Sequence, residues 1–435
     1  MHTTVFEFGY LTCDEVACAD LGAKLISKNA FEYLKEVSLS AGESETSKCL
    51  GLTKRSGCEL VQVKNYVGVL FTPTGEHIEV LPKIGLKTEN KEQAIIESRE
   101  TLLMMLQHLG SFRYVASNQA SVASKKMPLL EVFVAQFLQS VNTLVKRGLK
   151  SDYVTQEDNL NFQKGKLQVS QQIRHNTVNK HKFYVEYDEY VINRPANRLI
   201  KTALLKLGNY TRLANNQKLL RELQFAFADV PTSKSVKQDV SALKLDRGMT
   251  DYHSPIAWAK LILNGFSPLS MKGNNSALSL LFPMEAVFES YVASVLRKQL
   301  PDDVELTTQA SSKYLVTHNA RNQFQLKPDL LINLPDESKL VLDTKWKLLD
   351  LDEHNYGLSQ SDLYQMFAYG HKYLYGTGDL LLIYPSHSGF KKAIKYSFDY
   401  SESLRLWVVP FVISLTGDSR IEWPEVLRLQ AYQYH

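Results

Sequence analysis

Two short apolar runs separated by a turn, 326-LKPDLLINL-334 and 339-KLVLDTKWK-347, constrain this chain more than any other stretch. Both are rich in branched residues and are joined by turn formers, so the pair reads as a β-hairpin. Side chains alternate across a strand, which puts Asp343 and Lys345 on one face and Leu342, Thr344 and Trp346 on the other. If the loop is the three residues Pro335, Asp336 and Glu337, Leu334 faces Ser338 and, counting outward, Asp329 faces Asp343; a two- or four-residue loop would break this pairing. Opposed Cβ atoms in such a pair lie about 5 Å apart. Two carboxylates placed so closely repel, a poor arrangement for stability alone. A divalent cation removes the conflict, and Mg²⁺ takes carboxylate oxygens and water, commonly with one or two protein carboxylates. Lys345 on the same face can orient or help deprotonate a water, or steady charge on a phosphate. The chemistry implied is metal-assisted phosphodiester hydrolysis. D-x-K alone also occurs on solvated surface hairpins, so the neighbouring elements decide.

The neighbours form an ordered series. A helix over 281–300, opened by Pro283, precedes the hairpin; a helix over 359–374 with a Ser cap follows it, and then the apolar strand 378-GDLLLIYPS-386. This order, with Pro328-Asp329 and Asp343-Thr344-Lys345, resembles the PD-(D/E)xK nuclease superfamily. The resemblance implies an acid on the first helix, which Glu289 matches, with Glu285 one turn earlier as its competitor. It also implies Gln and Tyr on the following helix. Here Asp362, Gln365 and Tyr369 share one helical face, which is equally the pattern of an ordinary amphipathic helix.

Upstream the chain differs. Residues 60–85 read as strands joined by a turn at Pro73, Thr74 and Gly75, and a helix over 91–110 ends on Gly110. A strong helix spans 128–149 and closes on Lys146 and Arg147, the right sign for a helix C-terminus. Residues 150–190 are polar and turn-rich with short extended runs; helices follow over 193–210 and 216–230, and 265–278 is a Gly/Ser/Asn/Pro-rich boundary. The expected architecture is multi-domain α/β. It comprises a mixed, β-containing adaptor over 1–110, a largely helical basic region over 111–275 with a short extended insert, and a restriction-endonuclease-like α/β domain over 276–435.

Charge follows these divisions. Residues 111–250 carry 22 Lys+Arg against 11 Asp+Glu, whereas 1–110 and 281–435 are each net −4. A basic middle between acidic ends suits a polyanion or an acidic partner surface, and equally a solvated lysine-rich exterior. Lys146, Arg147, Lys150, Lys164 and Lys166 are candidate DNA-binding residues. So are Arg194, Arg198 and Lys201, where Asn193-Arg194 and Asn197-Arg198 repeat four apart on a helix. The four cysteines, Cys13, Cys18, Cys49 and Cys58, lack zinc-ribbon spacing and read as reduced thiols. His354 and His371 lack metal-site companions and read as surface residues. No apolar run reaches bilayer length and the N-terminus lacks a signal-peptide pattern, so a cytoplasmic protein is expected.

A set of stretches carries a closer resemblance: 78-IEVLPKIG-85, 145-VKRGLKSDYVTQEDNLNFQKGKL-167, 183-FYVEYDEYVINRPANRLIKTAL-204, 251-DYHSPIAWAKLILNG-265, 281-LFPMEAVFESYV-292, the hairpin, and 362-DLYQMFAYGHKY-373. Together these resemble the McrC family, the partner subunit of McrBC modification-dependent restriction systems. The resemblance implies a C-terminal Mg²⁺-dependent endonuclease, with Mn²⁺ as a substitute. Asp329, Asp343 and Glu289 would be its metal ligands, and Lys345, Gln365 and Tyr369 would complete the site. It also implies docking on a ring of AAA+ subunits whose nucleotide hydrolysis, of GTP in McrBC, the chain stimulates, and modified double-stranded DNA as substrate. No G-x-x-x-x-G-K-[ST] phosphate loop is present, so no nucleotide is expected to bind this chain in that way. Two rivals remain: a stand-alone, RecB-like repair nuclease, and a non-catalytic activator or scaffold of a AAA+ ring.

Overall fold

The computed structural model describes residues 2–40, 49–73, 75–84, 91–109, 127–245, 247–264 and 280–427. The predicted boundary at 265–278 and the expected helix-ending Gly110 lie outside the described residues, as does Thr74 of the predicted turn. The protein is mixed α/β, with helices and sheets in every part of the chain.

The first eighty residues build two sheets rather than one. The run 60–71 reads as a single alternating strand, but it breaks at Lys64–Asn65, where the Tyr66 N–H donates back to the Lys64 carbonyl (2.8 Å). Cys58–Val63 therefore joins Leu50–Arg55 and Tyr10–Thr12 in one sheet, beneath the helix Lys28–Ser40. Tyr66–Phe71 joins a second sheet, in the order His2–Phe6, His77–Leu81, Tyr66–Phe71, Leu280–Pro283. The last of these corrects the expectation that Pro283 opens a helix from residue 281. Leu280–Pro283 is an antiparallel strand on Tyr66–Phe71, and the helix runs Met284–Gln299 with Pro283 as its cap. Gly68 permits this pairing. Its φ is +130°, and a Cβ there would stand 1.9 Å from the Leu280 carbonyl oxygen.

The middle is helical, as periodicity predicts, with Leu129–Arg147, Pro195–Leu207, Ala214–Ala226 and His253–Asn264 packed together. The region 150–190 is more regular than its polar composition suggests. Asp152–Leu160 and Phe183–Val191 pair antiparallel along all nine residues, with Lys166–Leu167 on the other edge and the helix Val169–Asn176 beside them. Polar residues on both faces hide a strand from a reading that relies on alternation.

The last third is a mixed sheet in the order Glu305–Thr308, Leu330–Asn333, Lys339–Thr344, Gly378–Pro385, Leu404–Val412, Phe398–Asp399. The first two pairings are antiparallel and the next two parallel. Both faces are covered, which is why these strands read as nearly continuous apolar runs. Leu342, Trp346, Leu381 and Ile383 pack with Phe288 of the helix Met284–Gln299. Val341, Leu380 and Leu382 pack with Met366, Tyr369 and Tyr373 of the helix Gln360–Tyr373. The first of these clusters continues without a break into Val67, Phe71, Phe133 and Trp258. The hairpin has the predicted register, Leu330 opposite Leu342 and Asn333 opposite Lys339, closed by Leu334 N–H to Ser338 O (2.9 Å). The sequence reading missed the edge strand Glu305–Thr308 and a two-stranded ribbon, Lys313–His318 with Arg321–Leu326.

Gly68→Ala is expected to destabilise the fold by about 1–3 kcal/mol or more, since the strand carrying the C-terminal sheet's first helix must move. Urea unfolding of the variant beside wild type checks this; an unchanged midpoint would refute the close approach.

Candidate active site

Asp343 is the penultimate residue of Lys339–Thr344 and is 1 % exposed. Extending the hairpin register by one residue sets Asp329 opposite it. The Asp329 carboxylate is held by the following strand: its Oδ2 accepts from the Thr344 N–H (2.8 Å) and the Thr344 hydroxyl (2.7 Å). Its Oδ1 has no hydrogen-bond partner among the described residues. Lys345 follows the strand's end, where its N–H still bonds the Ile383 carbonyl (2.9 Å). Its Nζ lies 2.7 Å from Asp343 Oδ2 as an ion pair, out of line for a hydrogen bond, so that this buried oxygen has no aligned donor.

The helix Met284–Gln299 brings Glu289, not Glu285, to this pair of acids. Glu285 is exposed and accepts from Asn65 Nδ2 (2.9 Å). Glu289 feels the charges of both Asp329 and Asp343, and its Oε1 accepts from Gln309 Nε2 (2.5 Å). Gln309 was not singled out in the sequence. It follows the edge strand in a left-handed conformation (φ 52°) and gives its N–H to the Asp329 carbonyl (2.8 Å), so one residue fastens both acids. A lone Gln after a short polar strand carries no sequence signal for that role.

Burial and mutual repulsion act on all three acids. Burial, with Asp329 next in weight, pushes the Glu289 carboxyl up to about 7. Burial also raises Asp329, against the two Thr344 hydrogen bonds and Lys345. Burial and then Asp329 raise Asp343, with Lys345 opposing. For Lys345, burial disfavours the charge, but Asp343, Asp362 and Asp329 outweigh it and hold the ammonium above its ordinary range.

The predicted helix residues form a relay behind Lys345. Lys345 Nζ donates to Gln365 Oε1 (2.9 Å), Gln365 Nε2 donates to Tyr369 Oη (2.7 Å), and Tyr369 Oη donates to the Lys327 carbonyl (2.9 Å). Asp362 Oδ1 stands 3.8 Å from the same ammonium. Gln365 takes one N–H of the ammonium and Asp343 stands beside it as an ion pair without an aligned hydrogen bond, so N–H donors remain for a water or phosphate. Below the site, Trp346 gives its indole N–H to Glu7 Oε1 (2.6 Å) and tilts against Phe288, the residue before Glu289.

Among the described residues, no three His, Cys, Asp or Glu side chains form a closed metal-ligand cluster. Asp329 and Asp343 instead fit an ion held by two carboxylates and completed by water, the usual manner of Mg²⁺. The free Asp329 Oδ1 and the unaligned, buried Asp343 Oδ2 are the oxygens such an ion would take. Among the described residues Cys13, Cys49 and Cys58 form no disulfide, with Cys49 buried beneath the helix Lys28–Ser40, and the Cys18 side chain lies outside the described residues. His354 and His371 are exposed.

The basic candidates are not gathered here. Arg198 forks onto Asp239 and also bonds Asn193, and Lys201 Nζ donates to the Phe227 carbonyl (2.7 Å) at the end of the helix Ala214–Ala226. Asn197 is buried between the Lys150 and Ile192 carbonyls and the Tyr252 hydroxyl. The repeated Asn-Arg pattern therefore has an internal, structural use. Arg147 pairs with Asp251, and Lys164 lies over the Tyr187 ring. Lys146, Lys150 and Lys166 are exposed, and Arg194 is partly so. No helix among the described residues is long and apolar enough to cross a membrane.

A family model described as McrBC 5-methylcytosine restriction system component matches residues 61–385. No curated protein matches. Among solved structures, a chain of the half-complex from the tetradecameric assembly of Thermococcus gammatolerans McrB AAA+ hexamers with bound McrC is similar. It has a TM-score of 0.67, 20 % identity and coverage of 96 % of each chain. A chain of the cryo-EM structure of the Thermococcus gammatolerans McrBC complex gives a TM-score of 0.48 and 21 % identity, over 69 % of this chain and 89 % of that one. At such identity the first likeness is one of fold.

Because the Glu289 carboxyl titrates near 7 when folded and near 4.5 when unfolded, the folded state holds the proton longer. Stability contributed by the protonated form is thus lost as pH rises from about 4.5 through 7. The melting temperature of metal-free protein is expected to fall over that window, to fall less in Glu289→Gln, and to recover at pH 7.5 on adding Mg²⁺ to wild type. Scanning fluorimetry across pH reads this, and an identical slope in Glu289→Gln would remove Glu289 from the acid cluster.

Proposed function

The chain belongs to the McrBC 5-methylcytosine restriction system component family, and on that premise we propose that it is the DNA-cutting subunit of a modification-dependent restriction system, a Mg²⁺-dependent endonuclease of the PD-(D/E)xK type. The observation that carries the reading is the juxtaposition of Glu289 on the helix Met284–Gln299, Asp329 just before the strand Leu330–Asn333, and Asp343 and Lys345 at the end of the strand Lys339–Thr344. The order helix, edge strand, acidic hairpin, helix, parallel strand supports the same superfamily. A surface hairpin with solvated acids does not keep Asp343 buried beside a second carboxylate, because that costs stability without a compensating ligand.

Asp343 and Asp329 would hold the ion, with Glu289 bonding a water of its shell. When bound, Mg²⁺ supplies a Lewis acid for the scissile phosphate and lowers the pKa of a coordinated water. Lys345 keeps its proton, because three acids favour its charge, and directs an N–H not taken by Gln365 toward the attacking water or the charge growing on the phosphate. Gln365 fixes the ammonium, and Tyr369, anchored on the Lys327 carbonyl, fixes Gln365.

The likeness to a chain of the McrB–McrC assembly supports a AAA+ ring as partner. Without a phosphate loop of its own, the chain would rely on that ring for nucleotide hydrolysis, of GTP by family resemblance, and would stimulate it. The exposed Lys146, Lys150 and Lys166 remain candidates for phosphate contacts.

The test is cleavage of methylated and unmethylated plasmid with Mg²⁺, by the chain alone and with its AAA+ partner plus GTP or ATP. Cutting is expected only with partner and nucleotide. It should vanish with chelator or Asp343→Ala and fall about 10²–10³-fold in Lys345→Ala, the size of effect that loss of one charge-stabilising donor has. Cutting unchanged in Asp343→Ala would sink the site. Cutting by the chain alone would favour an independent nuclease, and stimulated hydrolysis without any cutting would favour a non-catalytic activator.

A further inference from the structure

The ribbon Lys313–His318/Arg321–Leu326 pairs with no strand of the C-terminal sheet, meets the core through Leu326 at its foot, and springs from the candidate active site itself. Gln309, which fastens Glu289 and Asp329, precedes it, and Asp329 follows it. Its base is braced by the helix that carries Gln365. Tyr373 Oη lies 2.8 Å from the Ala310 carbonyl and 2.9 Å from the Leu326 carbonyl, and Tyr369 Oη bonds the Lys327 carbonyl. Lys313 adds a contact to Tyr375, Nζ to Oη at 3.3 Å. The foot is therefore fixed relative to the acids, while residues 315–325 are exposed throughout.

Its composition is one-sided. Residues 310–328 contain no Asp or Glu but contain Lys313, Arg321, Lys327 and His318. Cations beside an acid-lined site oppose its repulsion of a polyanion. Arg321, His318 and Gln323 share one face, by the register His318 opposite Arg321 and Val316 opposite Gln323. The ladder skips the step between Leu315 and Phe324, where Phe324 takes a left-handed φ of 57° and stands 69 % exposed. A bulky residue in that conformation is a backbone outlier, and holding an aromatic ring out in water adds to its cost. A two-stranded ribbon is one of the two protein elements that a duplex groove admits.

We propose that this ribbon is an arm that enters a groove of duplex DNA beside the scissile phosphate, with Arg321 on the phosphate backbone and Phe324 against the groove. The inference rests on the nuclease reading of the site, and it adds the element that would hold the duplex in register with Lys345 and the acids. The arm's rigid foot makes it a positioning device: where it grips fixes which phosphate meets the site.

The experiment uses the full chain with its AAA+ partner and nucleotide, in the Asp343→Ala background, on a short methylated duplex. A photo-crosslinking benzoylphenylalanine replaces Phe324 or, as a control, Phe225, which is even more exposed on the helix Ala214–Ala226. Labelling of DNA from position 324 and not from 225 is expected. In parallel, Arg321→Ala should reduce the slope of log K against log salt by about 0.9, the loss of one phosphate contact. Equal labelling from both positions, no labelling from 324, or an unchanged slope would overturn the arm. If Arg321→Ala binds with an unchanged slope while the catalytically intact chain cuts, the arm fails and the nuclease reading stands. If 324 labels and the slope falls but the intact chain never cuts, the arm stands and the nuclease reading fails.

Discussion

The pairing of Leu280–Pro283 with Tyr66–Phe71 is the joint on which the rest of the molecule hangs. Backbone hydrogen bonds fix this strand in the amino-terminal sheet, and Gly68 lets it approach to a distance no other residue allows. The helix Met284–Gln299 begins at the next residue. Its Phe288 enters the core against Trp346 and Phe411, and the next residue, Glu289, arrives beside Asp329 and Asp343. The third acid of the site is thus positioned by a β-ladder that belongs to the other end of the chain. The continuity of one hydrophobic core from Val67 through Phe133 to Ile383 follows from the same joint.

Around that framework the site holds like charges together in a poorly hydrated place. Thr344 and Gln309 give the carboxylates neutral hydrogen bonds, and only Lys345 gives them charge. The balance leaves the acids protonating more readily than free carboxylates, which suits the dication site proposed above. Lys345 is in turn held from behind by an uncharged relay through Gln365 and Tyr369, which orients the ammonium without neutralising it.

Much of this was legible because it is local. Alternation in 339-KLVLDTKWK-347 and the Pro335–Glu337 turn fixed the register that brings Asp329 to Asp343, and the spacing of Gln365 and Tyr369 placed both on one helical face. Where sequence distance is long or periodicity is absent, the reading failed. Gln309 acts through two contacts about twenty residues away in the chain, and Glu7 meets Trp346 across 339 residues. The strand Asp152–Leu160 is polar along most of its length and Lys313–His318 sets Tyr314, Leu315 and Val316 side by side, so no alternation betrays either. Arg198 and Lys201 looked like phosphate ligands because charge and spacing do not reveal an internal partner; Asp239 and the Phe227 carbonyl had already claimed them.

Glu7 has a wider meaning for how such a protein can change over generations. It lies in the turn after the first strand, accepts the Trp346 indole N–H and the Lys83 N–H on one oxygen, and buries its other oxygen without a partner. Trp346 is the neighbour of Lys345 in the chain. The carboxy-terminal sheet and the amino-terminal half are therefore tied together directly beneath the candidate site. A hybrid whose first eighty residues lacked an acceptor at position 7 would leave the Trp346 indole N–H without this partner, directly beside Lys345. A substitution at either end of this contact is therefore felt at the other, even though hundreds of residues separate them.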